Sequence, residues 1–279
     1  MTPRLKSIFL VAGPALGVAM YALGVCVLGL DHAAAFTAGV TLWCAVWWCF
    51  EAVPIPLTAL VPFALFPFGG VLDHHQLALA LGDKFVLLFL GGFMISRAAE
   101  ASNAHLRVAD YVIRLVGTTS NKRLIIGFML ATAFCSMWIS NTATALIMLP
   151  VAIAVIRQTQ ADGRFAVCLL LAIAYGASAG GVATLIGTPP NGIFASSYEA
   201  VASGPGRAVD FFSWLKIGAP VSAVMLLACG VVLTFGIRGG GRYEHQDLGP
   251  WTRAQISVLI VIALTAVLWI TRQLPAGLG

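Results

Sequence analysis

Leu124 to Ile156 is one apolar run of 33 residues, and Ser140, Asn141 and Thr142 stand in a row near its middle. A spanning helix uses about 20 apolar residues, so this run is too long for one straight crossing. Polar groups at mid-membrane depth are tolerated only where protein or a water-filled cavity surrounds them. The run therefore predicts a re-entrant helical hairpin over 124–157 with its tip at Ser140–Thr142. A second overlong run, Phe165 to Ala202, is interrupted by "GTPPNG", Gly187 to Gly192. Pro189 and Pro190 remove two backbone donors and restrict the residue before them. This predicts a broken transmembrane helix over 165–203.

Composition agrees with a membrane setting. The 279 residues are 59% hydrophobic and only 10% charged, against about 25% charged in a soluble domain. Such a chain cannot cover a water-facing surface and reads as an all-α integral membrane protein whose first partner is the lipid bilayer. The net charge of +5 is spread over short loops rather than one face, which argues against nucleic acid. Cys26, Cys44, Cys49, Cys135, Cys168 and Cys229 all fall in apolar segments without metal-ligand spacing and read as small hydrophobes. The first apolar run, Ile8 to Leu30, is too long for a signal-peptide core and reads as a retained span.

Further spans are predicted at about 33–50, 53–68 (ragged with Pro54, Pro56, Pro62 and Pro67), 85–101, 212–237 and 254–271. A polar, interfacial stretch is predicted over 102–123 and a cytoplasmic loop over 238–253. With a cytoplasmic N-terminus and a re-entrant hairpin, 12 of the 16 basic residues fall inside and four outside, namely Lys84, Arg207, Lys216 and Arg272. If 124–156 crossed once, the division would be 10 against 6, so the positive-inside bias favours the hairpin. The multi-pass chain is placed in a bacterial inner (plasma) membrane.

The two interruptions are where chemistry is expected. Broken helices mark binding sites in secondary transporters. The N-terminal end of the second hairpin arm would present free N–H groups and partial positive charge, joined by the Ser140 and Thr142 hydroxyls and the Asn141 amide. That suits an anionic group without lysine or arginine. At the second break Gly187 permits unusual dihedrals and close approach, and Thr188 supplies a hydroxyl. Pro189 and Pro190 suit the first turn of a new helix. Freed carbonyls, with Ser136, Asn141 and Asn191 oxygens, suit a hard cation such as Na⁺.

Other features read as structural. Glu51 and Glu199 lie near span ends and are expected to be interfacial. Trp43, Trp47 and Trp48 read as interfacial or lipid-facing packing. "GASAG", Gly176 to Gly180, matches a nucleophile pattern that needs a strand-to-helix elbow and a histidine. Here it lies in a helix, and His32, His74, His75, His105 and His245 fall in predicted loops or span ends, so close helix packing is the better reading. The chain is not expected to be an enzyme or to hold an organic cofactor.

"SMWISNTATALIMLP" (136–150), "GGVATLIGTPPNGIF" (180–194) and "LLFLGGFMIS" (87–96) resemble the divalent anion:sodium symporter family, which carries di- and tricarboxylates or sulfate. The resemblance implies an elevator-type carrier of two inverted repeats, usually a homodimer. By motif match, Ser140, Asn141 and Thr142 contact the substrate carboxylate, with Thr188 and Pro189 lining the same pocket. Ser136, Ser140, Asn141 and Gly187 frame the first sodium site. Residues 1–123 would hold the scaffold and dimerisation spans and an interfacial helix, and 254–279 would open the second repeat. No second Ser-Asn-Thr and no second "GTPPN" occur here. The chain is therefore expected to be one half of an inverted-repeat transporter, truncated or completed by a separately encoded second half. Rival expectations are a sodium-independent anion exchanger or related ion antiporter, and a non-transporting membrane fragment or interaction subunit.

Overall fold

The computed structural model describes residues 3–159, 163–202, 208–240 and 248–271. Arg207, Arg242 and Arg272 of the charge count, His245, position 203 of the predicted broken helix, 241–247 of the predicted loop and 272–279 of the last segment lie outside the described residues. The described chain is helical throughout, with no strand. Seven of its helices are long and apolar enough to cross a membrane, as expected of a multi-pass membrane protein. The chain divides into two compact units, 1–83 and 84–279.

The first unit holds α1 (Pro3–Cys26), α2 (His32–Phe50), α3 (Ile55–Phe68) and α4 (His74–Leu81). Asp31 starts α2 by accepting from Ala34 N at 3.1 Å. Glu51 ends it in the left-handed region, at φ 46°. Trp47 donates to Leu10 O of α1 at 3.3 Å and meets Trp43 edge-on at 5.3 Å. Trp43 and Trp47 are thus half-buried against α1 and each other, while Trp48 is exposed. Pro56 sits in the first turn of α3, where a missing N–H costs nothing. The sequence reading passed over α4, which begins on an Asp73–Gln76 capping box.

The second unit contains α5 (Lys84–Ser102), α6 (Ala104–Val116), α7 (Asn121–Ser136), α8 (Asn141–Thr159), α9 (Gly163–Ala183), α10 (Pro189–Val201), α11 (Phe211–Thr234) and α12 (Arg253–Thr271). Both overlong runs are divided close to the predicted interruptions, at 137–140 rather than 140–142 and at 184–188 rather than 187–192. Asn121, at the start of α7, donates through N and Nδ2 to Gly239 O and Arg238 O, each at 3.3 Å. Arg164, at the start of α9, donates to Phe235 O at 2.8 Å. The starts of α7 and α9 therefore lie beside the end of α11. Three residues join Thr159 of α8 to Gly163 of α9, so α8 ends where α7 begins. The arms α7 and α8 form a helical hairpin, and one core joins Leu124, Ile125 and Phe128 of α7 to Met148, Ala152 and Val155 of α8 and Leu169 and Ile173 of α9.

The small residues of "GASAGG" let α9 approach α7 closely. A Cβ on Gly176 would lie 2.6 Å from Met129 O, and one on Gly180 would overlap the Ala133 carbonyl. Helix packing in membranes relies on such small residues because lipid is as apolar as leucine. Glu199, expected to be interfacial, is half-buried and binds Lys84 Nζ at 2.6 Å. It also accepts from Val209 N at 2.7 Å, so it ties the start of α5 and the approach to α11 to the end of α10.

Candidate substrate and cation site

The hairpin tip lies against the second half of α9. Ser136, fully buried at the end of α7, has its hydroxyl 2.8 Å from Ala177 O of α9 and 2.7 Å from Asn141 Oδ1 of α8. A hydroxyl carries one proton, so this oxygen bridges the two arms and α9 with lone-pair capacity to spare. Thr184 donates to Met137 O at 2.6 Å, which fixes the break after α9 to the break after α7. Asn191 of α10 reaches back: its Nδ2 donates to both Gly181 O and Thr184 O at 2.8 Å. Trp214 of α11 donates to Val182 O at 3.0 Å.

These bonds bring the ends of α7 and α9 together, and each is the carbonyl-rich, negative end of its helix. Both Asn191 amide protons are used on carbonyls, so its Oδ1 remains as an acceptor. The predicted residues Ser136, Asn141 and Asn191 thus gather around Gly181, Asn191 through its Nδ2. A Cβ at Gly181 would overlap the Asn141 amide, and one at Gly187 would lie 2.5 Å from Gly181 O. Glycine is needed at 187 for this close approach and not for its dihedral, because Gly187 lies outside the left-handed region. Neutral oxygens at converging helix C-termini, with no carboxylate among them, suit a singly charged hard cation.

The open side differs in character. Ser140 and Thr142 are exposed and Asn141 is half-buried. Ser140 Oγ accepts from Ala143 N at 3.3 Å, and Ser140 O accepts from Thr144 N at 2.9 Å. Ser140 thus satisfies the Ala143 and Thr144 N–H groups, and the start of α8 carries positive dipole character. The start of α10 is poorer in donors. Thr188 occupies the N-cap without a side-chain cap bond, followed by exposed Pro189 and Pro190. Of the two half-helix starts, α8 is the one headed by two exposed hydroxyls and a side-chain amide. Gly181, Thr184, Ala177 and Trp214 were missed in the sequence. Thr184, four residues before Thr188, was the one with a readable signal: a polar side chain inside an apolar run.

The profile of the citrate transporter family matches residues 45–279. The chain is 36% identical over 265 residues to the sodium-dependent dicarboxylate transporter SdcS of Staphylococcus saprophyticus, covering 88% of this chain and 50% of that protein. It is 35% identical over 259 residues to the transporter of the same name in Staphylococcus aureus, covering 85% and 49%. The chain spans about half the length of the curated relatives it matches.

Proposed function

Because this chain belongs to the citrate transporter family, we propose that it supplies one half-site of a sodium-coupled carrier for dicarboxylate-type anions. The observation that carries this reading is the meeting of two carbonyl-rich helix ends and one donor-rich helix start around Ser136, Asn141 and Asn191. Na⁺ is held by Ser136, Ser140, Asn141, Asn191 and the backbone at Gly187. The anion is held at Ser140, Asn141 and Thr142, with Thr188 and Pro189 as the facing wall. Asn141 touches both, so a bound cation offsets the desolvation of the carboxylate beside it. Binding of one therefore favours the other, which is the thermodynamic requirement for coupling.

The relatives' names, sodium-dependent dicarboxylate transporter, support the choice of ion and of substrate class. A second half-site, on the same chain or a separate one, completes the carrier. It works as a homodimer in a bacterial inner membrane, N-terminus cytoplasmic, with the hairpin and broken helix moving as an elevator against the scaffold spans of residues 1–123.

The test is radiolabelled succinate uptake into proteoliposomes, with Na⁺ or K⁺ outside. This chain is used alone and together with the second half of the carrier. Saturable uptake is expected with Na⁺ only, and Asn141→Ala should abolish it. Equal uptake in K⁺ would make the protein a sodium-independent exchanger. Uptake that survives Asn141→Ala would move the site elsewhere.

A further inference from the structure

Six helical threonines in this protein, Thr37, Thr41, Thr132, Thr159, Thr234 and Thr271, donate their hydroxyls to the carbonyl four residues back, at 2.6–2.9 Å. Thr144 does not. Its residue is 2% exposed, yet its Oγ1 has no hydrogen-bond partner. A hydroxyl removed from water without a partner destabilises a fold unless something binds it.

Position explains what that is. Thr144 heads the buried stripe of α8 formed with Met148, Ala152 and Val155, which packs into the core shared with α7 and α9. It lies one turn from Asn141, on the same face of the helix. Helical side chains lean toward the N-terminus, so the Thr144 hydroxyl leans toward the level where Asn141 meets Ser136. Thr58 is the other buried threonine hydroxyl without a partner. It belongs to the first unit, where no such cluster surrounds it.

We propose that the Thr144 hydroxyl is a further oxygen of the cation site, set behind Asn141 on the closed side. This rests on the sodium reading above. The lone pair faces the ion, and the proton points away from it. The Thr144 methyl group seals that side of the ion from the apolar core.

The experiment follows Na⁺-dependent thermal stabilisation of the purified whole chain, titrated against K⁺ at constant ionic strength. Ligand binding to the folded state alone raises stability with concentration, so the midpoint reports affinity without any transport step. Thr144→Val should raise the Na⁺ midpoint by about tenfold, the lower end of effects seen at residues supporting a metal site. Thr144→Ser should restore the midpoint, and Thr58→Val should leave it in place. A Thr144→Val protein with the wild-type midpoint overturns the proposal, because removing an idle buried hydroxyl raises stability without touching the ion. A shift equal to that of Thr58→Val overturns it too. A wild-type chain with no Na⁺ response overturns the sodium reading itself, and the proposal falls with it.

Discussion

Asn191→Leu is expected to cost about 3 kcal/mol of stability and to remove the Na⁺ response altogether. Leucine keeps the branched heavy-atom skeleton of asparagine and removes its hydrogen-bonding groups. Two buried carbonyls, Gly181 O and Thr184 O, each lose a donor at 2.8 Å, and each orphaned group costs about 1–3 kcal/mol. The break between α9 and α10 then loses the tie that holds it shut, and the proposed cation site loses the Asn191 Oδ1. Asn191→Asp is the stricter version. It keeps an oxygen for the ion but sets a second oxygen against the two carbonyls, so it should fail as badly as leucine. Thermal unfolding in detergent, with and without Na⁺, measures both. An aspartate variant that behaves like wild type would show that donation to the carbonyls is not what holds the break.

The second large effect is at the contact of α7 and α9. Gly180→Ala should destabilise the protein by about 2 kcal/mol net, since overpacking costs about 1–3 kcal/mol or more and alanine returns about 1 kcal/mol of helix propensity. Gly91→Ala, in α5, is the control: nothing lies within 4 Å of its Cβ position, so only the propensity gain remains. The two variants should differ by about 3 kcal/mol, or roughly 6–12 °C in Tm at the usual conversion for domains of this size. Equal melting temperatures would mean that α7 and α9 are not packed backbone to backbone.

The elements were legible in the sequence wherever a local rule decides them. Two adjacent prolines at 189–190 can only start a helix, and α10 begins there. Three polar residues inside a run too long for one crossing had to be a break, and α8 begins at Asn141. The α7 boundary was read three residues late, because Ser120 caps the helix through Arg123 N at 3.3 Å before the apolar run starts. Ser136, Asn141 and Asn191 were named from residue type and placement alone.

Their partners could not be named. The bonds from Ser136 to Ala177 O, Thr184 to Met137 O and Trp214 to Val182 O join a side chain to a backbone carbonyl far along the chain. Every residue has such a carbonyl, so no residue type announces it. The partner of Glu199 was hidden for a related reason. Its ion pair with Lys84 crosses 115 positions, and a carboxylate near a span end looks interfacial until its partner is seen.

The kind of atom met at each close approach decides whether damage can be repaired by a second mutation. The three atoms nearest a Cβ at Gly180 are all backbone atoms of Ala133, namely its O, Cα and C. No side chain on α7 can be trimmed to make room, so a genetic screen starting from Gly180→Ala should return revertants and no suppressor at position 133. The three atoms nearest a Cβ at Gly192 all belong to the Phe89 ring. From Gly192→Ala the same screen should recover smaller residues at Phe89, because that obstacle can be cut away by substitution.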